Sequence, residues 1–366
     1  MNVVIIISQA LLYVSFALIM GYFVMYAVPD KFRPTIRVPD KWIIGSIIAI
    51  PVLTFMPVLY VGLILSERFG FFSSLAIILT SYEIGFSWDL VFMISVELLI
   101  FFFILRKRPT KVLYGLGAVQ VILLIAAVAW ASHAVTMSPV LGFVSDFLHL
   151  VAVSLWVGLV LVVSWFSTNK ENWETFLKWF SPTAISAFGV TTLSGLLLTD
   201  TLVPHYLTGM STNYGQGLLI KHLLLIPLVF YALVNGVLIK IKMKNPAFDP
   251  RPWVKIESVL LLLIFVVTAI YSQYQPPTLF LTEETVSPIF LAVYDGAVES
   301  GMFAFMQLDW WGLLFIVLGV IFIALIIVCF FLNAPIWLPM VLGLAVTTCF
   351  YFFMMSTVIF KTIVLY

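Results

Sequence analysis

Four histidines, His133, His149, His205 and His222, are the side chains of this chain best suited to chemistry. Imidazole is the commonest metal ligand and suits copper, zinc and iron, while the thioether of methionine selects Cu(I). Met137 follows His133 by four residues, and Met210 follows His205 by five. Within the stretch WASHAVTMSPVLGFVSDFLHLVAVSLWVG (130–158), Asp146, His149, Val153 and Trp156 recur at three- and four-residue steps and share one helix face. An ionisable group inside an apolar run is costly in hydrocarbon and is a functional candidate by default. Asp146 could ligate a metal, orient His149 or pair with Lys221, and Glu97 reads as a relay group or a hydrogen-bonded carboxyl. The plain alternative for any one histidine is a packing residue with a satisfied ring, and most of the 13 methionines are expected to be core.

The elements that must position these residues are membrane helices. Of 366 residues, 63% are hydrophobic and only 10% charged, with a mean hydropathy of +1.16; a soluble domain carries about 25% charged residues. This composition specifies an all-α, polytopic transmembrane bundle surrounded by lipid, and the net charge of +1 gives no reason to expect a nucleic-acid partner. About 20 apolar residues cross a bilayer, and that ruler predicts ten helices, near 3–28, 42–65, 86–105, 113–135, 141–166, 181–200, 216–239, 256–274, 311–332 and 336–360. The first is read as a transmembrane helix, because no basic segment or small-residue cleavage site accompanies it. Residues 71–80 are too short to span and are expected at the interface or as a re-entrant piece. Cys329 and Cys349 fall at different depths, too far apart for a disulfide.

Lysine and arginine set the orientation. Loops near 31–41, 106–111, 170–178 and 240–255 hold 15 of the 18 basic residues, which makes that side cytoplasmic and places both termini outside. His133 then ends the fourth helix at the outer surface, and His149, His205 and His222 lie on the same side. The outer loop 276–310 adds Glu283, Glu284, Asp295, Glu299 and Asp309 without a lysine or arginine, a mouth better suited to a cation than to an anion. The segments 8–21 and 145–158 share a terminal Ser and Gly at matched spacing, and 80–90 and 212–222 share Thr, Tyr and a Gly. These matches suggest a 4+4 parallel repeat followed by two further helices. No phosphate-binding glycine loop, CxxC, HExxH or serine nucleophile elbow is present, so a transporter or metal-binding protein is a better reading than an enzyme.

SHA at 132–134, DFLHLVAVSLWVG at 146–158, SGLLL at 194–198 and TNYGQGLLIKHLLL at 212–225 resemble the CopD copper-resistance membrane family. The resemblance covers about residues 1–275 and leaves the loop 276–310 and the helices of 311–366 unexplained. It implies a copper-handling protein of the cytoplasmic membrane, supplied by an extracytoplasmic copper carrier, with His133 and His149 as ligands and Lys221 as a motif residue. Two functions stay open. Copper could be collected on His133 and Met137 and passed to His149, with Asp146, His205, Met210 and His222 as further candidate ligands. Alternatively His149, with His222 or His133, could be the axial pair of a b-type haem in an electron-transfer cytochrome. An assembly role with a respiratory-complex partner is a variant of the copper reading.

Overall fold

The computed structural model describes residues 2–278 and 285–362, so Glu283 and Glu284 lie outside the described residues. Among them, ten helices are long and apolar enough to cross a membrane, the number expected, and the chain is an all-α multi-pass membrane protein. It forms two compact units, Met1–Thr201 and Leu202–Tyr366.

The first unit contains α1 (Asn2–Ala27), α2 (Asp40–Phe69), α3 (Phe71–Ser81), α4 (Glu83–Lys107), α5 (Lys111–Trp130), α6 (His133–Met137), α7 (Pro139–Phe166) and α8 (Trp173–Leu202). At its centre α1 packs against α2, α5 and α7. Three local rules set the helix ends. Thr110 caps α5 by accepting from the Leu113 N–H at 3.2 Å. Pro139 occupies the first turn of α7, where a missing N–H costs nothing. Gly85 lets α3 fold back onto α4, because a Cβ there would lie 2.2 Å from the Ile78 carbonyl oxygen.

The expected helix 113–135 is divided. It stops at Trp130, and the N–H groups of Ala131 and Ser132 turn back to the carbonyls of Val128 and Ala129 at 3.3 and 3.2 Å. Ser132 is extended, and His133 opens the separate helix α6 instead of ending a membrane span. Gly142 makes this possible: a Cβ there would meet the Ala134 carbonyl oxygen at 2.0 Å, so α6 lies directly on the first turns of α7.

The second unit contains α9 (Tyr206–Gly209), α10 (Asn213–Leu233), α11 (Ile239–Lys242), α12 (Arg251–Tyr271), α13 (Pro288–Leu291), β1 (Met302–Met306), α14 (Trp310–Leu332), α15 (Trp337–Thr357) and β2 (Val358–Thr362). A π-helical turn over Val234–Leu238 joins α10 to α11. The hairpin of α14 and α15 turns at Asn333, which takes the left-handed conformation at φ 53°. The α15 helix packs on α10, where the Tyr231 hydroxyl donates to the Pro339 carbonyl at 2.6 Å. The antiparallel pair β1–β2, with Ala304 opposite Phe360, was not expected from the sequence. Residues 358–362 are rich in β-branched and aromatic side chains, so the last helix ends at Thr357 and the chain pairs as a strand. Cys329 and Cys349 are both buried and form no disulfide.

Candidate functional site

His149 lies on α7, facing α8. Its Nδ1 is 3.0 Å from the carbonyl oxygen of Thr191 and 3.2 Å from the hydroxyl of Ser194. A carbonyl can only accept, so Nδ1 carries a hydrogen, and in the neutral imidazole Nε2 then carries the lone pair. Fixing one ring nitrogen on a backbone carbonyl in this way is the usual means of presenting the other to a metal. Ser194 donates its own proton to the Val190 carbonyl at 2.6 Å, which leaves its oxygen as an acceptor for the imidazole. Gly195 completes the support. A Cβ there would sit 3.3 Å from Cε1 of His149, so a larger side chain would crowd the ring. Sequence reading singled out His149 but not Thr191, and it took SGLLL as family pattern alone; the small Ser–Gly pair opposite a histidine was the available signal.

His133 and Met137 stand four residues apart on α6, on one face, and both are exposed. Asp146 is half-buried on α7, one turn before His149. Glu97, on the exposed side of α4, accepts from Nε2 of Gln120 on α5 at 2.7 Å.

In the second unit His222 sits on α10, with Nδ1 2.8 Å from the hydroxyl of Tyr206. Burial, with a contribution from nearby Tyr271, pushes the Tyr206 phenol up to about 12, so it stays protonated. Lys221 bonds the hydroxyl of Tyr271 at 3.3 Å and lies 5.8 Å from the centre of that ring. Tyrosines thus support both motif residues of α10, a role their sequence positions did not reveal. His205 is exposed and packs edge-on against Phe303 at 5.4 Å. Met210 is core: it is 1% exposed, clusters with Leu219, Phe290 and Met355, and its carbonyl accepts from Gln216 at 2.6 Å.

Among the described residues, no group of three His, Cys, Asp or Glu side chains stands close enough to hold a metal ion. The arrangement therefore offers two imidazoles oriented by hydrogen bonds, His149 and His222, and one exposed His–Met pair.

Residues 174–271 match the family model described as copper resistance protein D, CopD. The copper transport protein CutJ of Bacillus subtilis (strain 168) is 32% identical over 162 residues. That match takes in 42% of this chain but only 29% of CutJ, so the chain spans less than a third of that relative's length. No solved structure matches the chain. The stretch 174–271, which carries Thr191, Ser194, Lys221 and His222, is thus the part of the chain similar to the CopD family.

Proposed function

We infer that this protein handles copper in the cytoplasmic membrane, taking Cu(I) as cargo at His149 and moving it into or across the bilayer. The observation that carries the reading is the hydrogen bond from Nδ1 of His149 to the Thr191 carbonyl, which leaves Nε2 as the lone-pair nitrogen. The copper named in the descriptions of the matching family and relative supports the choice of metal. His133 and Met137, paired on exposed α6, suit first capture, since imidazole and thioether together favour Cu(I). A cargo must leave as well as bind, and sites of few ligands release an ion more readily than a closed cage. The preponderance of basic residues in alternate loops supports capture from the extracytoplasmic side, where an extracytoplasmic carrier would deliver the ion.

The test is a Cu(I) titration of the purified protein against a coloured competing chelator, with a visible spectrum of the same sample. His149→Ala should weaken Cu(I) binding by about a hundredfold, at or beyond the range seen for loss of a ligand's supporting partner. Undiminished binding in His149→Ala would remove His149 from the route. A Soret band in the untreated protein would replace copper by haem as the ligand of these histidines.

A further inference from the structure

The seam between α7 and α8 holds more hydrogen-bonding groups than the described residues satisfy. On α7, Ser145, His149, Ala152 and Trp156 follow one another at three- and four-residue steps and form a single stripe. Two of its members face α8: His149 meets Thr191 and Ser194, and the Trp156 ring packs edge-on against Phe188 at 5.6 Å. Ser145 is 1% exposed and Trp156 4%, yet among the described residues neither the Ser145 hydroxyl nor the indole N–H has a partner. The Thr191 hydroxyl, beside the carbonyl that holds His149, is likewise buried without one.

Hydrocarbon offers such groups nothing, and membrane helices ordinarily satisfy their buried polar groups within the bundle. Two orphans along the α7 stripe and a third on α8, with an imidazole among them, point to polar contents in the seam.

We propose that the α7–α8 seam carries a file of water molecules in contact with His149, reaching from the level of Ser145 to that of Trp156. Those residues are 11 positions apart, about 16 Å along the helix, which is roughly half of a hydrocarbon core about 30 Å thick. The hydroxyls of Ser145 and Thr191 and the N–H of Trp156 line the file as its fixed donors and acceptors. His149 is thereby reached by water, and by a small hydrated cation, without either crossing lipid. The inference does not depend on the identity of the cargo, since its contents are water whether the ion is copper or another.

Radiolytic hydroxyl-radical labelling of the intact protein in lipid nanodiscs tests it, because the radicals form from water beside the side chain they oxidise. Trp156 should be oxidised, while Phe102, sealed in the apolar core at 0% exposure, stays unmodified. A Trp156 as protected as Phe102 would overturn the proposal. A second measurement uses Ala152→Cys and Leu148→Cys, the latter on the exposed side of α7, with a charged methanethiosulfonate. Only the thiolate reacts, so Cys at 152 should react about a hundredfold faster than Cys at 148. The unsubstituted chain, with buried Cys329 and Cys349, supplies the background. Equal rates at the two positions would mean a dry seam. Neither readout involves metal, so a dry seam and an absent copper site are separate results.

Discussion

Gly21 of α1 and Gly158 of α7 meet backbone to backbone. A Cβ built on Gly21 would lie 2.1 Å from the Gly158 carbonyl oxygen, and one on Gly158 would lie 2.1 Å from that of Ala17. These are the terminal glycines of the two similar segments 8–21 and 145–158, so the feature that relates the segments is also where their helices touch. Close approach of two helices through small residues is the main packing device inside a membrane, where lipid removes the hydrophobic drive.

Gly158→Ala should therefore destabilise the protein by about 1–3 kcal/mol, the usual cost of overpacking. Gly45→Ala is the comparison, because its Cβ would meet nothing within 4 Å and alanine is the better helix former by about 1 kcal/mol. Thermal unfolding in detergent reads both. Equal behaviour of the two variants would mean that α1 and α7 do not meet at these glycines.

Ser194→Ala removes one of the two contacts of the His149 Nδ1 and keeps the Thr191 carbonyl. Cu(I) affinity should fall by about tenfold, the lower end of the range for a supporting partner. Gly195→Leu, which crowds the ring, should cost more than Ser194→Ala in the same titration. The reverse order would show that the ring is not held where these contacts place it.

The Tyr206 phenol is raised from 10 to about 12 by burial, with Tyr271 adding to the effect. A group with a raised folded value contributes fully below its unfolded value and loses that contribution as pH rises through the folded one. Stability of the second unit should thus decline between pH 10 and about 12. Tyr206→Phe should flatten that decline and also release Nδ1 of His222. Unfolding midpoints followed across this window check both proteins, and an unchanged alkaline decline in the variant would assign the loss to other groups.

Orientation is tested at the loop between α4 and α5. With the basic loops inside, an impermeant maleimide applied to intact cells should leave Lys107→Cys unlabelled and should label it after permeabilisation. Labelling in intact cells would invert the topology and put the capture face of α6 on the other side.

Ten membrane helices were legible in the sequence because each is a run of about 20 apolar residues, a property of the residues themselves that needs no partner. His149 was legible for the same reason, as a costly group inside such a run. The break at Ala131–Ser132 was not, because an apolar alanine carries no signal that the chain will turn there to let α6 lie over Gly142. Nor was the strand at 358–362, whose residues suit a helix end as well as a sheet until β1 arrives beside them. The proton on His149 was beyond the sequence too. It depends on one carbonyl of α8, 42 residues away, and a backbone carbonyl is present at every position. Residue type determines what a side chain can do, whereas packing determines which identical backbone group stands next to it, and here that neighbour decides which nitrogen bears the lone pair.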